Sequence, residues 1–306
     1  MTDLEKVDLS TLLTEARNPA SSRFDELSTI EMLTVMNDED ARVAVAVRKE
    51  LPSIAQAIDG IAERLERGGR LFYIGAGTSG RLGVLDASEC PPTFSVSAEL
   101  VQGLIAGGDA ALRLSSEHSE DSLEQGAEDL KAAGFGKGPD VLVGIAASGR
   151  TPYVLGAMEY AKSLGCLTVG LSCVPGSAVA RAGEIAITPA VGPEVVTGST
   201  RLKAGTATKL VLNMLSTCVM VRTGAVYGNL MVNVQPTNAK LVDRAIRIIA
   251  GAAEIAPEEA ATLFEESGRE VKTAIVMSRL GLERGKAEEA LHKAQGVLAR
   301  ALKTAL

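Results

Sequence analysis

The stretch Gly75-Ala-Gly-Thr-Ser-Gly-Arg-Leu-Gly-Val-Leu-Asp-Ala-Ser-Glu-Cys-Pro-Pro92 decides the fold. It follows the apolar run Leu71-Phe-Tyr-Ile74, which predicts a buried strand. A strand, a glycine-rich turn and a helix together form a layout that holds phosphate. Small residues let backbone N–H groups approach the anion, and the N-terminus of the helix attracts negative charge.

The same layout recurs about seventy residues later in the chain. Asp140-Val-Leu-Val-Gly-Ile-Ala-Ala147 predicts a strand, and Ser148-Gly-Arg-Thr-Pro152 predicts a hydroxyl-rich turn into a helix. Two Ser-Gly-Arg turns in one chain indicate one phosphorylated ligand held from two sides.

Two alternatives remain open for the first turn. Gly75, Gly77 and Gly80 match the G-x-G-x-x-G pattern of dinucleotide-binding folds, with the acidic Glu99 about 20 residues further on. The hydroxyls of Thr78 and Ser79 disfavour this alternative, because a pyrophosphate site mainly needs bare backbone. The other alternative is a turn between strand and helix that binds no ligand.

Composition limits the partners of the protein. The chain has 306 residues, of which 46% are hydrophobic and 23% charged, as expected for a soluble globular protein. Its formal charge of −7 and its few aromatic residues disfavour a nucleic-acid partner. A small anionic ligand needs only local donors and stays compatible with this charge.

Cysteine and histidine usage disfavours a metal site. The four cysteines show no C-x-x-C spacing, and there are only two histidines, so we expect scattered reduced thiols and no zinc. The N-terminus does not resemble a signal peptide, and no uninterrupted apolar stretch of membrane-spanning length is present. We therefore expect a cytoplasmic protein without a membrane partner.

The order of predicted elements indicates an α/β fold, a doubly wound parallel sheet with N-terminal helices and a small C-terminal helical domain. Residues 1–50 are predicted as an arm and helices, 51–250 as the sheet domain and 251–306 as a three-helix unit. Asn37 or Asp38 is the expected cap of the second helix. The strands are expected at 71–74, 101–105, 140–146, 167–171 and 185–188. The main later helices are expected at 79–87, 119–133, 151–164, 177–182 and 205–223.

A third turn rich in hydroxyl groups, Ser199-Thr-Arg-Leu-Lys-Ala-Gly-Thr206, precedes the long apolar helix 205–223. Simple capping of that helix is the alternative to a role in ligand binding. In the C-terminal unit, Pro257-Glu-Glu-Ala, Ser267-Gly-Arg-Glu and Gly281-Leu-Glu-Arg-Gly mark the predicted joints between helices.

The two hydroxyl turns on a doubly wound sheet resemble the sugar isomerase (SIS) domain, which binds phosphosugars. Within that group the chain closely resembles the N-acetylmuramic acid 6-phosphate etherases. The similarity extends over nearly the whole chain and includes the specific run Asp86-Ala-Ser-Glu-Cys-Pro-Pro. Other matching segments are Thr14-Glu-Ala-Arg-Asn-Pro, Ala146-Ala-Ser-Gly-Arg-Thr-Pro-Tyr and Gly198-Ser-Thr-Arg-Leu-Lys-Ala-Gly-Thr-Ala-Thr-Lys. The C-terminal unit is similar to a ubiquitin-associated fold, and Ser95-Val-Ser-Ala departs from an expected Gly- or Pro-bearing turn.

The resemblance implies cleavage of the lactyl ether at C3 of the phosphorylated amino sugar, without metal or organic cofactor. It implies catalytic roles for Glu89, as proton donor, and for Glu120, although Glu117, Asp121 and Glu124 are close alternatives to Glu120. Which carboxylate is acid and which is base stays open. The substrate-binding residues implied by the resemblance are Thr78, Ser79, Ser148, Thr151 and Ser199.

Two other functions remain alternatives, a non-catalytic phosphosugar-sensing regulator and an SIS-type phosphosugar isomerase. We also expect a homodimer with its sites near the subunit interface, because the N-terminal helices and helix 205–223 offer much apolar surface. The N-terminal arm, residues 1–23, is expected to pack on a neighbour or on the site.

Overall fold

The computed structural model describes residues 14–114, 118–136 and 138–304. They separate into two compact units. The larger unit comprises the chain up to Ser88 together with Ala98–Ser216, and the smaller comprises Glu89–Ser97 and the chain from Thr217 onward.

The larger unit is built on a parallel sheet of five strands in the order β2-β1-β3-β4-β5. The strands are β1 (Leu71–Gly75), β2 (Val101–Ile105), β3 (Val141–Ile145), β4 (Leu167–Leu171) and β5 (Ile185–Ile187). β1, β3 and β4 are buried at every residue, as expected for parallel strands covered on both faces. All five predicted strands are confirmed, and no strand end differs from its predicted position by more than one residue.

Eight helices accompany this sheet within the described residues. They are α1 (Thr29–Asp40), α2 (Val43–Lys49), α3 (Leu51–Glu66), α4 (Gly77–Phe94), α5 (Leu123–Ala132), α6 (Pro152–Ser163), α7 (Ala178–Ala182) and α8 (Lys203–Arg222). The core on one face of the sheet joins Phe72 and Ile74 of β1 to Tyr153, Val154 and Met158 of α6.

Three details of the predicted helices were wrong. Helix α1 continues through Asn37 and Asp38 to Asp40, so neither residue caps α2, whose N-cap is Arg42. Helix α4 continues past Pro91 and Pro92, because a proline lacks the N–H but its carbonyl still accepts, as in the bond from Ser95 N to Pro91 O. Helix α5 begins at Leu123 because the Ser122 hydroxyl caps it, and a 3₁₀ turn precedes it.

The smaller unit is a helical cluster around one apolar core that includes Ile249, Phe264, Ile275 and Leu291. Its helices are α9 (Ala239–Ala253), α10 (Pro257–Glu266), α11 (Val271–Leu280), α12 (Arg284–Lys293) and α13 (Leu298–Thr304), and β6 (Val226–Tyr227) pairs with β7 (Leu230–Met231). The helices break at the predicted joints. The three-part division at residues 50 and 250 stays a prediction, and residue 250 lies within α9.

Helix α8 has the length and apolar composition of a membrane-spanning segment, and half of it is buried inside the protein. Ala207, Val211 and Leu215 are fully buried. Such burial is typical of the core helix of a soluble protein, so the length and composition of α8 are only weak evidence for a membrane span.

Candidate active site

The first hydroxyl turn connects β1 to α4. Gly77 opens the helix with φ of 51°, a left-handed conformation that favours glycine. Gly75 and Gly80 allow backbone packing, because a Cβ on Gly80 would lie 2.6 Å from the Gly75 carbonyl oxygen. The glycine pattern is therefore largely explained by close packing of helix on strand. Thr78 is half-buried and Ser79 is buried, and both lie in the first helical turn, where backbone N–H groups lack helical partners.

The second hydroxyl turn connects β3 to α6. Gly149 has φ of 69°, and a Cβ there would lie 2.1 Å from the Ser177 Oγ, so only glycine fits. Ser148 is half-buried. Thr151 is the N-cap of α6, but within this described helix its side chain accepts no capping hydrogen bond. The Thr151 hydroxyl is therefore available to a ligand.

The first and second turns lie side by side. β1 and β3 are adjacent, and Gly75 at the end of β1 pairs with Ile145 at the end of β3. The chain leaves β1 towards β2 on one side and leaves β3 towards β4 on the other. In open parallel sheets this switch point forms a crevice outside the carboxyl ends of the strands, where ligands bind.

The third turn joins the same place. A Cβ on Gly205 would lie 3.6 Å from Thr78 Cγ2, so the start of α8 is beside the first turn. The Glu194 carboxylate accepts hydrogen bonds from the N–H groups of Lys203 and Ala204, each at 2.9 Å. Glu194 thus caps α8, and the half-buried Ser199 is not needed for that purpose.

The arginines of the two Ser-Gly-Arg turns differ in their surroundings. Arg81 donates to the carbonyl oxygens of Leu112 at 3.0 Å and Ala111 at 2.7 Å, so it holds the segment after β2 against α4. The Arg150 Nη1 is buried and has no hydrogen-bond partner among the described residues. Neither guanidinium was predicted from the sequence to have a role in the site.

Glu120 lies in the 3₁₀ turn His118–Glu120, which packs against helix α6. Glu120 is half-buried, whereas Asp121 and Glu124 are exposed. The remaining alternative, Glu117, lies outside the described residues. The turn that carries Glu120 therefore packs on the helix that follows the second hydroxyl turn.

Glu89 lies on α4, the helix whose first turn carries Thr78 and Ser79, and its side chain is exposed. Ten residues separate Ser79 from Glu89, which at a rise of about 1.5 Å per residue is about 15 Å along the helix. Glu89 is also the first residue of the smaller unit, whereas Thr78 and Ser79 belong to the larger one.

A cavity of about 730 Å³ lies between the carboxyl end of β2 and helix α5. Its lining includes Ser119 and Ser122, on either side of Glu120, and Tyr153, but none of the five hydroxyl residues described above. Tyr153 donates to Asp129 at 2.7 Å, and burial together with this carboxylate raises the pKa of the Tyr153 phenol. Tyr153 lies two residues after Thr151, so the cavity borders the start of α6.

A buried polar network, which sequence analysis missed, lies behind the third turn. Lys203 donates to Glu39 at 2.5 Å, Asn18 donates to the same carboxylate oxygen at 2.9 Å, and all three side chains are buried. Lys203 and Glu39 are 164 residues apart in sequence, and no local sequence pattern predicts a contact over such a separation.

Potential metal ligands do not cluster in the described part of the chain, where no group of three or more His, Cys, Asp or Glu side chains could hold an ion. Catalysis without a metal stays a prediction.

The class of protein follows from the sheet order and from comparison with known families. Residues 53–162 match the family described as "Glucokinase regulatory protein N-terminal SIS domain". The fold is therefore the SIS-type α/β fold, as predicted. A similar solved structure is the C-terminal domain of glucosamine-fructose-6-phosphate aminotransferase from Francisella tularensis, with TM-score 0.42 and 16% identity over 87% of this chain and 81% of that one.

Proteins that are similar over nearly the full length of the chain define its family within this class. The chain is 55% identical to the N-acetylmuramic acid 6-phosphate etherase of Clostridium beijerinckii, over 98% of both chains. It is 56% identical to the protein of that name from Aliivibrio fischeri, over 97% of this chain and 99% of that one. The chain belongs to the N-acetylmuramic acid 6-phosphate etherase family.

Proposed function

We propose that this protein cleaves the D-lactyl ether of N-acetylmuramic acid 6-phosphate, a carbon–oxygen lyase reaction that gives N-acetylglucosamine 6-phosphate and D-lactate. Membership of the etherase family supports the reaction. The structural observation that carries the proposal is the meeting of two hydroxyl turns at the adjacent carboxyl ends of β1 and β3.

The phosphate binds between these two turns. The hydroxyls of Ser79, Ser148 and Thr151 donate to phosphate oxygens together with backbone N–H groups at the starts of α4 and α6. Thr78 and Ser199 complete the substrate-binding set. The free hydroxyl of Thr151 and the buried, unpartnered Nη1 of Arg150 support an anion at this place.

The chemistry is an elimination followed by addition of water. In the ring-opened sugar, the C1 aldehyde acidifies the C2 proton, which a base removes. The C3–O bond then breaks, the departing lactate oxygen takes a proton from an acid, and a C2–C3 double bond forms. Water adds its hydroxyl to C3 while C2 regains a proton, so atoms and charges balance. Metal and organic cofactors are not needed.

Two carboxylates suit these proton transfers, and each contributes perhaps ~10²–10⁴-fold to the rate. We assign them to Glu89, as the proton donor, and to Glu120, as the base at C2. The packing of the turn of Glu120 on α6 supports its assignment.

The distance of about 15 Å along α4 from Ser79 to Glu89 indicates that each site takes Glu89 from a second copy of the chain. A two-fold axis that sets two α4 helices antiparallel would bring the Glu89 end of one helix to the Ser79 end of the other. Leu85 and Glu89 are four residues apart and both exposed, so this face of α4 is open to such a partner.

Helix α1 also supports a homodimer. Its one buried residue is Glu39, while Ile30 and Leu33 are 69% and 55% exposed. Exposed apolar groups of this kind usually mark a protein contact. We therefore propose a soluble, cytoplasmic homodimer with a phosphosugar as its ligand and without nucleic-acid or membrane partners.

The regulator and the isomerase remain weaker alternatives. The match to the regulatory-protein domain covers residues 53–162, whereas the etherases match nearly the whole chain. An isomerase would share C2 proton abstraction but release no lactate.

Incubation with N-acetylmuramic acid 6-phosphate and an enzymatic assay of free D-lactate test the proposal. We expect stoichiometric D-lactate from the wild type and almost none from Glu89→Gln with an unchanged circular dichroism spectrum. A wild type that binds the phosphosugar but releases no lactate would be a sensor or an isomerase.

A further inference from the structure

The N-terminal segment Thr14–Asn18 lies on the third hydroxyl turn. Thr14 and Asn18 are 4% and 5% exposed, whereas Glu15 between them is exposed. A Cβ on Gly198, the residue before Ser199, would lie 3.2 Å from Glu15 Oε2. A segment anchored at both ends therefore holds an exposed carboxylate against the turn that carries Ser199.

The anchor of this segment is the buried network behind the turn. The Asn18 side chain donates both to Glu39 and to the carbonyl oxygen of Pro193, at 2.9 and 3.0 Å. Lys203, which donates to the same Glu39 oxygen, belongs to the third turn and is also the first residue of α8. One buried ion pair thus fixes the segment and the turn to each other.

The charge of Glu15 decides which part of a phosphosugar it can meet. A carboxylate repels a phosphate dianion, so the phosphate belongs at the first and second turns. A carboxylate is an acceptor for hydroxyl and amide N–H donors, which the rest of the sugar offers. Glu15 is exposed, so its oxygens are accessible to such donors.

We propose that Glu15 is a substrate-binding residue that accepts hydrogen bonds from the uncharged hydroxyl or amide groups of the phosphosugar, and that Asn18 is the positioning residue that holds it there. The inference rests on the proposed function for the location of the phosphosugar among the three turns. It also places Ser199, which is next to Gly198, at the uncharged end of the substrate.

The first test is the variant Glu15→Ala. Its control is Glu26→Gln, which changes another exposed carboxylate, one that forms an ion pair with Arg23. Loss of a hydrogen bond to a charged group predicts a KM for lactate release raised roughly tenfold to a hundredfold, with kcat within about threefold. Glu15→Gln, which keeps an acceptor oxygen, should lie between wild type and Glu15→Ala. A KM within about twofold of wild type for Glu15→Ala would overturn the proposal.

The second test asks whether Asn18 acts through Glu15. Asn18→Ala should raise KM in the wild type, but should change it less than about twofold in the Glu15→Ala background, because coupled residues are not additive. An equal rise in both backgrounds would show a merely structural Asn18 and contradict its positioning role. Melting temperatures of the four proteins identify a variant that fails to fold.

Failure of the proposed function is separable from failure of this inference. A wild type that releases no lactate contradicts the etherase assignment alone. Calorimetric titration with N-acetylglucosamine 6-phosphate then compares wild type and Glu15→Ala without turnover. The same tenfold to hundredfold loss of affinity is expected, and equal affinities would overturn the role of Glu15.

Discussion

At the residue scale, two hydroxyl groups of the proposed site are not used to cap the helices that follow them. The Thr151 hydroxyl does not cap its own described helix, and Glu194 caps α8 so that Ser199 need not. Conversely, Arg81 of the first Ser-Gly-Arg turn is occupied by two carbonyl oxygens. A shared motif therefore carries different roles in the two turns.

Ser79→Ala and Ser148→Ala should each raise KM and leave kcat nearly unchanged, because phosphate is held equally in the ground state and the transition state. Each loss should be worth about 1.5–3 kcal/mol, that of a charge-assisted hydrogen bond. Steady-state kinetics check this, with the exposed Ser163→Ala at the end of α6 as control. A defect in kcat at unchanged KM would contradict the phosphate role.

Glu39 should make stability depend on pH. Burial raises the pKa of its carboxyl, but the hydrogen bonds from Lys203 and Asn18 outweigh burial and hold this pKa below its ordinary value of 4.5. Because the pKa is lowered in the folded state, the ionised Glu39 carboxylate stabilises the folded protein above pH 4.5. This stabilisation is lost as the pH falls through the folded pKa.

Glu39→Gln should therefore cost about 3–5 kcal/mol at neutral pH, because it leaves Lys203 buried without its counter-charge. The difference from wild type should shrink below pH 4.5. Denaturant unfolding from pH 7 to 3 measures it, with Glu63→Gln, part of an exposed pair, as control. A difference that is constant with pH would refute the role of the ion pair.

At the element scale, periodicity and turn chemistry predicted all five strands and most helices, because a parallel strand buried on both faces is apolar throughout. The errors lie at ends, where one side chain decides, as Ser122 does for α5. The Asn18, Glu39 and Lys203 network could not be predicted, because contacts between distant segments leave no local pattern. The separation of Glu89 from the first turn could have been predicted from the length of α4. Pro91 and Pro92 prevented this, because prolines usually indicate that a helix has ended.

The end of α4 offers a prediction. The sequence has Ser95 where a Gly- or Pro-bearing turn was expected, and Ser95 has a left-handed φ of 52°. Ser95→Gly should stabilise the protein by about 0.5–1 kcal/mol, because it relieves the Cβ contact of that conformation. Thermal unfolding checks this against Ser97→Gly, which lacks the left-handed φ and should stabilise nothing. Equal shifts in both variants would argue against strain at Ser95.

At the scale of the whole molecule, the proposed sharing of sites predicts complementation. Glu89→Gln and Ser148→Asp should each be nearly inactive as homodimers. In a mixed dimer, the hydroxyl turns of the first variant meet the Glu89 of the second, so one of two sites works. Randomly reassembled equimolar mixtures should recover about a quarter of wild-type activity, since about half of the dimers are mixed and each mixed dimer has one working site out of two. Mixing without any recovery, where mass spectrometry shows mixed dimers, would place Glu89 in the same chain as its site.

The central claim, cleavage by elimination, is tested most directly in deuterated water. After incubation with N-acetylmuramic acid 6-phosphate, the mass spectrum of the N-acetylglucosamine 6-phosphate should show one non-exchangeable deuterium at C2 for each D-lactate released. This result is expected because the C2 proton leaves before the C3–O bond breaks and a solvent proton replaces it. D-lactate release without deuterium at C2 would contradict elimination, and deuterium exchange without D-lactate would contradict the etherase.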